Sequence, residues 1–229
     1  MEKLADDKRA TAIPRGILLV ATFLEVAVMG HHPSVQTADP LEAAREMVAS
    51  STAAATVHGL LIALMLAITY GCAVFANRRG LARPLIGIGS IFYAAGVVVM
   101  IGAALVSGFV VSDLANALPH ATGGESPSLN SIFILCRVLN RTCANFGVVA
   151  MSVGIGCWSL DLLKEPGVKR AVGAWGCVVS ILPPLALFSR WIHLDVHGMT
   201  QVIVLQASWY VALAFILDSP IRSPYRVPA

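Results

Sequence analysis

The chain has 229 residues, 57% hydrophobic and 13% charged, with a mean hydropathy of +0.76. A soluble domain of this length needs a polar shell that such a composition cannot supply. A formal charge of +3 with no basic patch interleaved with aromatics excludes nucleic acid as a partner.

Six segments carry the roughly 20 mainly apolar residues needed to cross about 30 Å of hydrocarbon: about 15–33, 53–76, 84–110, 131–161, 171–190 and 199–218. Alternation at period two is absent and the connectors are short and polar. Backbone groups cannot stay unpaired in lipid, so these segments are helices and not barrel strands. The expected fold is all-α, a single domain over residues 1–229 built as a bundle of six transmembrane helices. The first span has no A-x-A-like cleavage site after it and reads as a retained helix.

Helix one carries Glu25 in "ATFLEVAVMG", about ten residues below its far end. A carboxylate there is costly and needs a partner or a watered cavity. Glu25, Met29 and His32 recur at spacings of four and three and so share a helix face. Gly30 and Pro33 are stop signals, with His31 and His32 between them. Asp39 then Pro40 reads as N-cap and first residue of a new helix, with Glu42 favoured at its positive end. Leu41, Ala44, Met47 and Val48 give residues 40–52 one apolar stripe, an amphipathic lead-in to span two.

His58 opens span two. Gly87, Gly89, Gly96 and Gly102 in span three, and Gly147, Gly154 and Gly156 in span four, favour close helix contact. The connector "SDLANALPHATGGESPS" has the composition of an exposed loop, His120 included. Arg137 and Arg141 lie one turn apart at the start of span four, beside Asn140, and are candidate counter-charges for Glu25. Pro183 and Pro184 free backbone carbonyls in span five and predict a kink. "WIHLDVHG" then leads into span six; if it is helical, His193 and His197 face the same way, while Asp195 faces elsewhere. Cys72, Cys136, Cys143, Cys157 and Cys177 show no CxxC spacing and read as small packing residues.

Basic residues set the expected orientation. Lys3, Lys8, Arg9, Arg15, Arg78, Arg79, Arg83, Lys164, Lys169, Arg170, Arg222 and Arg226 fall on one side, against Arg45, Arg137, Arg141 and Arg190 on the other. The positive-inside rule makes the first side cytoplasmic, with both termini there. All six histidines then share the outer side with Asp39, Glu42, Glu46, Asp113, Glu125 and Asp195.

This layer offers His32, His58, His193 and His197 as metal ligands, with His31 and Asp195 as weaker ones. Glu25, Arg137, Asn140 and Arg141 are ligand or charge-pair candidates. Imidazoles with an acid suit zinc or copper, and two imidazoles from facing helices suit one haem. The plainer reading is interfacial anchoring and helix capping. No H-E-x-x-H, E-x-x-H, G-x-S-x-G or phosphate-binding glycine loop occurs, so no catalytic residue is assigned. Three functions stay open: binding of a metal, haem or small polar ligand at the outer layer; small-molecule or proton-coupled transport along a path through Glu25; and a non-catalytic subunit docking a partner protein.

The segments "RGILLVATFLEVAV", "DPLEAAREMVASSTAAATVHGLLIALML" and "NRTCANFGVVAMSVGIGCWSLDLL…GVKRAVGAWGCVVSIL" make up about half of the chain. In them the chain resembles a family of bacterial six-helix integral membrane proteins known only as a domain of unknown function. The resemblance implies a six-helix fold in the bacterial inner membrane and brings no catalytic residues.

Overall fold

In the computed structural model the described residues are 2–33, 40–117 and 126–217, with side chains over 11–33, 45–117 and 131–217. Asp39, His120 and Glu125, and the side chain of Glu42, lie outside them. The helices are α1 (Glu2–Met29), α2 (Pro40–Ala49), α3 (Ser51–Arg79), α4 (Pro84–Leu105), α5 (Val111–Ala117), α6 (Ser126–Leu162), α7 (Val168–Phe188) and α8 (Val196–Ile216). A single π-turn, Val106–Val110, joins α4 to α5. Among the described residues there is no strand.

Six of these segments are long and apolar enough to cross a membrane: Thr11–Met29, Ser51–Arg79, Pro84–Ala117, Ser131–Leu162, Val168–Phe188 and Val196–Ile216. Only 22–56% of each window is buried inside the bundle. The outward faces are nevertheless apolar, with Phe23, Ile91, Val98, Leu135, Ile181 and Phe215 all exposed. Water would penalise that surface, whereas lipid leaves it neutral, so the fold is that of a multi-pass membrane protein.

The helices α4 and α6 cross closely because paired glycines face each other. A Cβ on Gly96 would lie 2.9 Å from the Gly147 carbonyl oxygen, and one on Gly154 would lie 2.8 Å from that of Gly89. Gly156 instead faces Ser180 of α7, while Gly102 meets open space. In turn α1 packs against α3 and α8, and α6 against α7.

One end of the bundle gathers the α1 and α7 C-termini with the α3, α6 and α8 N-termini. Towards the opposite end the interior is solid. Trp158 and Trp209 stack with centroids 6.2 Å apart, and the Tyr93 hydroxyl donates to that of Tyr210 at 2.9 Å. Beyond them Arg79 donates to Asp161 at 2.9 Å through Nε and to Glu165 at 2.8 Å through Nη1. Arg83 approaches Asp161 at 3.5 Å. The apolar runs predict almost no ionisable residues in this half, but α6 carries Asp161, in its last turn, back to the end of α3. There the carboxylate is neutralised within the packing.

Several local expectations shift. The lead-in helix stops at Ala49 and Ser50 breaks it from α3, so it is a separate short helix packed on α5. α1 ends at Met29, which leaves His31 and His32 in the turn after it. α7 runs on through Pro183 and Pro184 and ends in a Schellman arrangement: Arg190 N–H donates to Leu187 O and Trp191 N–H to Ala186 O. Arg190 holds the left-handed conformation there, with φ 60°.

A histidine pair on a methionine-lined cavity

"WIHLDVHG" is not a helix. Its first residue closes the α7 cap, and Asp195 is the N-cap of α8, its Oδ1 accepting from Gly198 N–H at 2.8 Å. A Cβ on Gly198 would fall 1.9 Å from the His193 carbonyl oxygen, so the tight turn requires glycine. His193 therefore lies before the helix and His197 in its first turn, both exposed, and they form no i, i+4 chelate. His193 Nδ1 instead faces Arg141 Nη2 at 3.4 Å, over a hollow that Asn145 and Arg190 also line. A guanidinium only donates, so this imidazole accepts through Nδ1.

His32 and His58 do meet. Their Nε2 atoms are 3.3 Å apart and their rings cross edge to face at 74°, with centroids at 4.7 Å. His32 Nδ1 lies 2.8 Å from the Pro33 carbonyl oxygen, and His58 Nδ1 lies 2.7 Å from that of Ala54. Carbonyl oxygens only accept, so both Nδ1 atoms carry protons. In neutral imidazoles both Nε2 atoms are then acceptors, 3.3 Å apart with no proton between them. That arrangement calls for a cation, either a proton or a metal ion. Burial holds the pKa of His32 below its usual 6.5, partly offset by the bond to Pro33, and so works against the proton.

Helix geometry makes the pair. The His58 ring folds back one turn onto its own α3, as helical side chains do. The π-turn then brings Gly108 against it: a Cβ there would lie 2.4 Å from His58 Cβ and 2.6 Å from Cγ. Such π-turns are frequent at functional sites.

The pair opens onto a cavity of about 280 Å³. Glu25, Asn140, Asp195 and Gln206 supply its polar wall, and Met29, Met65, Met100, Met151 and Met199 line it too. Glu25 is buried, and among the described residues no ion pair joins it to Arg137 or Arg141. Both arginines are exposed on α6, so Glu25 faces the cavity without them. Gln206 is buried, and its Nε2 has no hydrogen-bond partner among the described residues. Glu25 and Met29 share a face of α1 as expected, and His32 joins them on the cavity wall from the turn after that helix.

The remaining candidates separate from this site. His31 is exposed, its Nδ1 donating to Ala27 O at 2.8 Å on its own helix. Among the described residues no three His, Cys, Asp or Glu side chains converge on a common point, so His32, His58, His193 and His197 form no four-ligand set. Two axial haem ligands, each about 2 Å from the iron, need their nitrogens about 4 Å apart on opposite sides, which the edge-on pair does not provide. Of the cavity's residues, Met29 is legible in the sequence on the Glu25 face, and Gln206 leaves a trace as a lone amide inside an apolar run. Gly108, Met65, Met100, Met151 and Met199 leave none.

Compared with known proteins, the chain matches no family model, and no curated protein or solved structure is significantly similar to it.

Proposed function

We propose that this membrane protein binds a metal ion at the His32–His58 pair, inside a cavity that faces the extracytoplasmic side of a bacterial inner membrane. One observation carries the reading: two imidazoles with both Nδ1 protons committed to carbonyls and both Nε2 atoms bare at 3.3 Å. Ligands about 2.0–2.1 Å from a tetrahedral ion stand about 3.3–3.4 Å apart, which is the separation found. Backbone carbonyls fixing the far nitrogen are the usual support of a ligating histidine. The orientation rests on the positive-inside rule, which puts both termini in the cytoplasm.

The cavity supports a binding vessel over a conduit. It reaches Gln206, about 15 Å along α8 from Val196, and beyond it lie the packed aromatics and the Arg79–Asp161 pair. The test is the metal content of protein purified in detergent. Wild type and His193→Ala should retain near one equivalent, and His58→Ala should lose it. Equal retention by His58→Ala would overturn the assignment.

A further inference from the structure

Five of the seven methionines in the chain line one cavity. They come from five different helices: Met29 from α1, Met65 from α3, Met100 from α4, Met151 from α6 and Met199 from α8. No single-helix periodicity produces this; the bundle alone assembles it. Methionine is a common gap-filler in cores, but these surround a space and do not close it. The same space holds two imidazoles with bare nitrogens and, among the described residues, one buried carboxylate with no ion pair and an amide whose Nε2 has no partner.

We infer that the metal is copper(I), held by His32 and His58 and completed by thioethers of the surrounding methionines. This rests on the metal-binding reading above and names the ion. Soft, neutral thioether sulfur selects copper(I), whereas calcium, magnesium and manganese require oxygen ligands that this wall offers sparingly. Asp195 caps α8 through its Oδ1, and among the described residues it does not converge with the histidine pair on a common point. Zinc requires further nitrogen, thiolate or carboxylate ligands, and among the described residues no third such group converges with the pair. Copper(I) accepts two to four neutral ligands, so the two imidazoles with one or two thioethers suffice. Binding needs no redox step.

The experiment titrates the full chain in detergent anaerobically with copper(I), against a chromophoric copper(I) chelator, and in parallel with zinc(II). X-ray absorption at the copper edge reads the ligands. Wild type should bind one copper(I) per chain with both nitrogen and sulfur scatterers. Met29→Leu/Met65→Leu/Met199→Leu, which conserves volume, should weaken copper(I) by about tenfold or more and leave zinc(II) unchanged. Zinc(II) binding tighter than copper(I), or copper surrounded by nitrogen and oxygen alone, would overturn the copper(I) inference and leave the metal site standing. Binding of neither ion would overturn both. If the triple variant fails to fold, the absorption spectrum of the wild type still decides.

Discussion

Gly108 and His58 are in contact because the π-turn removes any room for a side chain between them: a Cβ on the glycine would lie 2.4 Å from that of the histidine. The position of the His58 ring, and through it the Nε2–Nε2 approach to His32, depends on an absent methyl group fifty residues further along the chain, beyond α4. Gly108→Ala should therefore move the ring and lower metal occupancy. It should also destabilise the fold by about 1–3 kcal/mol, as overpacking does. Metal analysis with thermal unfolding of the same preparation checks both; unchanged occupancy would show that the pair tolerates displacement.

The tautomers are directly observable. Nitrogen NMR of histidine-labelled, metal-free protein at neutral pH should show His32 and His58 protonated at Nδ1, and His193 protonated at Nε2 by virtue of its contact with Arg141. A proton on Nε2 of either His32 or His58 would remove the reason to place a metal there.

The depressed pKa of His32 gives stability a defined pH dependence. His58 faces it directly, and Glu25 and Asp195 stand on the same cavity wall. The folded state resists protonating His32, while the unfolded chain takes the proton near 6.5. The unfolded state thus binds more protons in the window below that value. The contribution of His32 is complete above about pH 6.5 and declines as the pH falls from there towards the lower folded value. Melting temperatures of metal-free protein from pH 7.5 downward should fall more steeply for wild type than for His32→Asn, and parallel curves would contradict this.

The opposite end offers a separable perturbation. Asp161→Asn leaves the buried Arg79 guanidinium with Glu165 as its remaining carboxylate, so it should cost somewhat less than the ~3–5 kcal/mol of a fully unpaired buried charge. Arg83→Ala removes a more exposed and longer contact, at 3.5 Å, and should cost under about 1 kcal/mol. Neither should alter metal binding. A denaturation series with metal stoichiometry alongside tests the independence of the two ends.

Arg190 holds a left-handed conformation at a position where helix caps favour glycine. Arg190→Gly should raise stability by about 1 kcal/mol, since an L side chain pays roughly that in this region. No change in melting temperature would mean that the side chain makes compensating contacts over the hollow beside His193.

By itself the sequence determined the six apolar helices, because crossing lipid imposes length and hydropathy on each segment separately. It also determined the shared face of Glu25 and Met29, because 3.6 residues per turn is a local rule, whereas His32 reaches the same cavity from the turn after α1. Local rules say nothing of where different helices meet. "WIHLDVHG" carried the conspicuous histidine spacing, yet a Schellman cap and an aspartate N-cap consume it as a turn. His58, with no motif around it, is the residue that meets a second histidine, His32. Only the tertiary structure decided that, together with the convergence of five methionines. Both depend on helix crossings between segments distant in the chain: Gly71 of α3 against Leu18 of α1, and Gly96 of α4 against Gly147 of α6, which puts Met100 and Met151 side by side.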